Sequence, residues 1–176
     1  MKIWAYCKDS LVQSVSVSPL DDTPPAPDGM TVVELAEMLP PAPSEWSAYN
    51  VTTGQWVDVR SIDDRKMQQW SAIKRERTRR EYAGFIWDES TFDSDPVSQS
   101  RIQGAVQMAS LDPATFTIDW TLADNTVRTL SGSDMVAVGL ALAQHVNGLH
   151  VVARGLRAQI EAAMTVAEVE AVTWPA

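Results

Sequence analysis

Three aspartates crowd one short stretch of the chain: Asp88, Asp93 and Asp95, within GFIWDESTFDSDPVSQSRIQGAV (84–106). Clustered carboxylate oxygens are what a hard cation such as calcium requires. A helix-loop-helix calcium site, however, needs acids at alternating positions, a central glycine and a distal bidentate glutamate. The run DESTFD has neither the glycine nor the rhythm, and turns and a helix cap need only one oxygen from each acid. The histidines, His145 and His150, stand five residues apart, which on a helix separates them by about 140°. They do not face one metal as an i, i+4 pair does. His145 falls on an otherwise apolar seam and reads as a hydrogen-bonded core or interface residue. Cys7, the single cysteine, has no nearby histidine to activate it and no partner for an internal disulfide. There is no GxSxG elbow and no glycine-rich phosphate loop. Paired carboxylates of the glycosidase kind need no fixed spacing, and nothing singles out a pair. The expectation is therefore no catalytic residue, no cofactor and no metal, in a protein that is not an enzyme.

Charge offers a second kind of chemistry. The net charge is −9, divided as −6 over residues 1–59, +5 over 60–80 and −8 over 81–176. The basic island, with KRERTRR at 74–80, has charge enough for phosphates. Both flanks are acidic and no reader motif accompanies it, so solvation or seating against the chain's own acids is expected, with no nucleic-acid partner. Seven tryptophans stand among 176 residues, and Trp is a residue that partners prefer. The aromatic hairpin YNVTTGQW (49–56) is similar to a turn of carbohydrate-binding repeats, but it occurs once where such modules are arrays, so core packing is preferred.

The elements that must position these residues follow from periodicity. KIWAYCKDSLVQSVSV predicts two strands turning near Lys8-Asp9-Ser10. DDTPPAPDG (21–29) is an extended proline-rich loop. TVVELAEML fits a short helix or a strand followed by a turn, and PPAP stops it. EWSAYNVTTGQWVDV predicts a hairpin with its turn near Thr52-Thr53-Gly54 and with Trp46, Tyr49 and Trp56 on its strands. From Ser61 the period becomes helical: Ser61 with Asp64 resembles a capping box, and Ile62, Met67, Trp70 and Ile73 form a narrow seam. Beyond Ile73 this helix is expected to be exposed, until Gly84 ends it.

GFIWDESTFDSD then predicts a tight hairpin with its turn at Asp88–Thr91 and aromatic cross-strand contacts. Asp95 is the expected N-cap of a helix with Pro96 at its first position and a seam of Ile102, Ala105, Val106 and Ala109. TFTIDWTLADNTVRTL predicts a second hairpin turning at Ala-Asp-Asn. Ser133 is expected to cap a long helix with a seam of Met135, Val138, Leu142, His145, Leu149, Val152 and Leu156. Gly148 and Gly155 on that helix mark a smooth patch where another element approaches. TVAEVEAV closes the chain with a Thr165/Glu168 capping box. Neither a secretory signal nor a transmembrane span is expected: the apolar run Met135–Leu142 is short of the roughly 20 residues a span requires.

The fold class is thus α+β: a small β-rich N-terminal module (1–60), a basic connecting helix (61–83) and a C-terminal domain (84–176) of two hairpins packed on helices, which cover one face of a small antiparallel sheet. A module of about 60 residues is near the lower limit for folding unaided.

Blocks in the C-terminal half carry a family resemblance: GFIW, TFDSD, SQSRIQGAV, DWTLADNTV, HV and IEAAMTVAEVEAV, in that order. Over residues 70–176 the chain resembles DUF4376, a family of tailed bacteriophages and prophages commonly found beside tail-fibre genes. It departs at Asp88-Glu89-Ser90, where an Asp-Gly turn is usual. YNVTTGQWVD also resembles the short β module that tail-fibre assembly proteins place ahead of their C-terminal part. The resemblance brings no catalytic residues. It implies a tail-fibre assembly factor, a chaperone that shields apolar surface or unpaired strand edges of an immature fibre. The alternative it allows is a structural virion component bound to the tail tip or fibre. A third reading from charge alone is an acidic mimic of nucleic acid that binds a host protein. The expected contact residues are Trp46, Tyr49, Trp56, Met67, Trp70 and Ile73. The expected partner is a tail-fibre or tail-tip protein, with no membrane and no nucleic acid, homo-oligomers being allowed. The expected location is the host cytoplasm during assembly, or the virion tail.

Overall fold

The computed structural model describes residues 1–19 and 22–175, which form two compact units, Met1–Ser61 and Ile62–Ala176. The chain is α+β, with strands concentrated in the first unit and helices in the second.

The first unit is one antiparallel sheet of five strands in the order β3-β1-β2-β4-β5: β1 (Lys2–Lys8), β2 (Leu11–Ser18), β3 (Thr31–Leu35), β4 (Ser47–Asn50) and β5 (Gln55–Asp58). Asp9 and Ser10 both take positive φ, 51° and 66°, the geometry of a two-residue turn that matches strand twist. The segment that fitted either helix or strand is a strand, because Thr31–Leu35 pairs along β1 from Ile3↔Leu35 to Cys7↔Thr31. The predicted second hairpin forms in register, Tyr49 opposite Trp56. It joins the rest of the sheet through one ladder pair, Leu11↔Asn50, and the Val51 N–H donating to the Ser10 carbonyl at 3.0 Å. The proline-rich stretch is irregular from Asp22 onward; Asp21, where it was expected to start, lies outside the described residues.

The second unit contains α1 (Ile62–Glu81), β6 (Phe85–Trp87), β7 (Ser90–Phe92), α2 (Pro96–Leu111), β8 (Thr117–Thr121), β9 (Val127–Ser131), α3 (Gly132–Ala162) and α4 (Val166–Ala171). The two hairpins do not merge into the single small sheet expected; each remains a separate two-stranded ribbon. They are tied by the Ala123 N–H donating to the Thr91 carbonyl at 3.0 Å and by Arg128 of β9, whose guanidinium reaches the Asp88 carbonyl (3.0 Å), the Ser90 hydroxyl (2.9 Å) and the Asp88 carboxylate. Packed helices complete the core instead: Phe85, Phe92, Ile102, Leu130, Met135, Val138 and Leu142 form one buried cluster. Ile73, Ala153, Leu156, Ile160 and Val172 form a second.

α1, read from the sequence as a connecting helix, belongs to this second unit and packs on α3 and α4. Its charged half is not wholly exposed. Arg77, Thr78, Arg80 and Glu81 are half-buried, since long side chains cover neighbours with their stems while their charged ends find partners. The β6–β7 turn is tighter than expected: Asp88 and Glu89 alone make it, at φ 45° and 62°. The α2 start matches expectation, with Asp95 accepting from the Val97 and Ser98 N–H groups and Pro96 at the first position. The cap of α3 is Ser131 rather than Ser133. Ser131 and Asp134 form the reciprocal capping box, because the last residue of β9 serves directly as the cap. The glycine expectation is also corrected. A Cβ on Gly148 or Gly155 would meet nothing, whereas one on Gly139 would lie 2.6 Å from Val106 Cγ2, so the close approach is where α2 crosses α3. Finally, α3 is long and apolar enough to cross a membrane by length and composition, contrary to the shorter run expected; 17% of its most apolar window is buried.

Candidate interaction surfaces

In the first unit only Trp4, Ala5 and Cys7 are buried among the described residues, all on β1, which lies between β3 and β2. Burial pushes the Cys7 thiol pKa up and keeps it protonated. A single-layer sheet with so little interior leaves apolar groups at its surface: Val17, Met38, Trp46 and Val59 are each about half exposed. Tyr49 and Trp56 face each other across β4–β5, rings edge to face at 5.4 Å and half-buried. Trp56 Nε1 is enclosed without a hydrogen-bond partner. Trp46 lies at the open end of this hairpin, held by the Val59 N–H donating to its carbonyl at 2.9 Å, with its side chain 47% exposed. The three aromatics expected to meet a partner therefore share one hairpin.

The other three expected contacts lie on α1 and separate. Met67 is exposed. Trp70 is half-buried beneath two cations, Lys74 at 5.9 Å and Arg157 at 5.4 Å from its ring. Ile73 is 3% exposed in the second core cluster, so its side chain is interior and offers no surface. Ile73 and Trp70 instead pack within their own unit, and polar residues of α1 add to that attachment. Arg65 pairs with Glu170 at 2.6 Å, Lys66 donates to the Glu161 carbonyl at 3.0 Å, and Arg80 covers the Trp174 ring at 5.4 Å.

The basic island is partly neutralised where it stands. Glu76 accepts from both Arg79 and Arg80 at 2.7 Å, and these hydrogen bonds hold its carboxyl down at about 2. Ser71, Lys74, Arg75 and Thr78 line a shallow outward hollow on the same helix.

Asp88 is engaged by Arg128, while the Ser98 hydroxyl and the capping N–H groups hold the Asp95 pKa low. His145 stacks on Phe85 with centroids 6.1 Å apart, and His150 Nε2 lies 3.7 Å from Glu81. Among the described residues no group of three or more His, Cys, Asp or Glu side chains could hold a metal. Two features escaped sequence reasoning. One is Ser94, buried at 0% exposure and bridging the end of α1 to the start of α2. The other is a groove of about 710 Å³ between α2 and α3. Its signal was present in Val136 and Leu140, apolar residues of α3 that stand off the expected seam.

Residues 64–173 match a family described as Domain of unknown function (DUF4376). The match begins within α1, in keeping with that helix being part of the second unit. No curated protein and no solved structure matches the chain.

Proposed function

The chain belongs to the DUF4376 family, and from that premise we propose that it is a bacteriophage tail-fibre assembly factor acting by protein–protein contact, without catalysis. The observation that carries the proposal is the aromatic hairpin: exposed Trp46 beside the Tyr49–Trp56 pair, on a sheet with little interior of its own. Among the described residues β3 and β5 are the outermost strands of the sheet, a position of the kind that pairs with an unfinished strand on another chain. Holding such a strand, with the ring of Trp46 over an apolar neighbour, protects a fibre monomer until its trimer closes. The resemblance to proteins encoded beside tail-fibre genes supplies the partner class. The proposed place of action is the host cytoplasm during assembly.

Co-expression with the adjacent fibre gene tests this. The protein is expected to raise the yield of soluble trimeric fibre, Trp46→Ser is expected to lose that effect, and mass spectrometry of purified virions is expected to miss the chain. Stoichiometric presence in virions would instead favour a structural component at the tail tip or fibre. Steeply salt-dependent binding to a basic host protein, with no effect on fibre, would favour the nucleic-acid mimic.

A further inference from the structure

The α2/α3 groove has a form that restricts what fills it. Val106, Leu142 and Val146 make an apolar floor, Gln103 and Gln107 stand along the α2 side, and Arg154 closes one end. Leu140 and Val136 on its α3 side are 60% and 45% exposed. The lining runs along α3 from Val136 to Arg154, about 27 Å or five turns at 1.5 Å per residue, and along α2 from Gln99 to Gln107, about 12 Å. Among the described residues Arg154 has no carboxylate partner, whereas Arg157, three residues on, pairs with Glu161 at 2.7 Å.

We propose that this groove receives an amphipathic α-helix of another protein, with its apolar seam on Leu140 and Val136 and a carboxylate in its end turn on Arg154. An open trough encloses too little of a small molecule to hold it tightly. A bilayer surface does not fill a concave floor rimmed by amides. A second copy of α3 fits poorly. Antiparallel registers that cover both Val136 and Leu140 leave Arg154 opposite valine, serine or asparagine, or opposite Asp134, whose carboxylate already closes the cap at Ser131 while Leu140 meets only Gly148; its match with Glu161 uncovers the apolar half. A parallel two-fold pair sets Arg154 against Arg154. A foreign helix with an acidic end satisfies both the seam and the cation. The inference stands whether or not the partner is a fibre.

The test uses the full chain and a fluorescein-labelled synthetic helix of about 18 residues, with a leucine seam and glutamate in its end turn, read by anisotropy. Saturable binding is expected, about tenfold tighter than for the same peptide with lysine at that end. Leu140→Asp is expected to remove binding, and Arg154→Glu to invert the preference between the two peptides. Both positions are exposed, and circular dichroism checks that the variants fold. No saturable binding of the glutamate peptide, or a preference indifferent to Arg154→Glu, overturns the proposal. So does a dimer in sedimentation that Leu140→Asp dissociates, or adsorption to phosphatidylcholine vesicles that the same substitution abolishes.

Discussion

The side chain that Gly139 lacks would lie 2.6 Å from Val106 Cγ2, closer than carbon atoms pack, so the crossing of α2 on α3 depends on a missing methyl group. Val106 is β-branched and stiff at χ1, and it does not swing aside freely. Gly139→Ala is therefore expected to destabilise by about 1–3 kcal/mol in spite of alanine's better helix propensity. Val106→Ala in the same chain should restore most of that loss, a coupling that a double-mutant cycle in urea measures directly. Gly148→Ala and Gly155→Ala meet open space and should each stabilise by up to about 1 kcal/mol. Equal effects at all three glycines would contradict the packing.

Ser94 holds the α1 exit. Its hydroxyl donates to the Glu81 carbonyl at 2.5 Å and accepts from the Gly84 N–H at 2.8 Å, and the residue is fully buried. Ser94→Ala removes both partners at once, which costs about 1–3 kcal/mol for polar groups left unsatisfied. The thermal midpoint should fall, and amide exchange at Gly84 should accelerate more than exchange in α3. A midpoint unchanged from the parent would mean that water replaces the hydroxyl.

Local signals in the sequence proved strong where one or two residues settle the geometry. Asp95-Pro96 and Thr165/Glu168 name their helix starts because a cap needs only its own oxygen and the next turn's N–H groups. The hairpin that carries Tyr49 and Trp56 was legible because its turn residues stand out, whereas the β6–β7 turn, expected over Asp88–Thr91 and made by Asp88 and Glu89 alone, shifts the register so that Phe85 rather than Trp87 faces Phe92. Ser133 was misjudged for Ser131 because two serines flank Gly132 and only the path of β9 decides between them. Gly148 and Gly155 suggested a contact by their heptad spacing, yet a glycine's role depends on what lies across from it, and that is a tertiary fact. Ile73 and Trp70 show the same limit in the candidate site: an amphipathic seam looks alike whether it meets a partner or α3 of its own chain.

The β6–β7 turn places a non-glycine residue in the left-handed region at both central positions, with Glu89 at φ 62°. A side chain there costs about 1–2 kcal/mol relative to glycine, offset in part by glycine's greater freedom when unfolded. Glu89→Gly is expected to raise stability by about 0.5–1 kcal/mol. Asp88 makes the opposite case, because its carboxylate and carbonyl both hold Arg128. Asp88→Gly should lower the thermal midpoint although it relieves the same kind of backbone strain. If both substitutions move the midpoint in one direction, turn conformation outweighs the Arg128 tie between the hairpins.

Glu76 makes the acid response of α1 predictable in sign. Hydrogen bonds from Arg79 and Arg80 bring its folded pKa from an ordinary 4.5 to about 2. A carboxyl that binds its proton less readily when folded adds stability above its unfolded pKa. That contribution is lost as pH falls from about 4.5 towards about 2. Above this window the charged pair network is intact; below it, Glu76 is neutral in both states and contributes nothing. Glu76→Gln should therefore lower the thermal midpoint at neutral pH by a small amount, since solvent screens exposed pairs and salt weakens them further. The gap between parent and variant should close on acidification, and a carbon-detected NMR titration should place the Glu76 midpoint near 2. A midpoint near 4.5 would mean that the two arginines swing free of it, leaving the whole basic face of α1 available to an acidic partner.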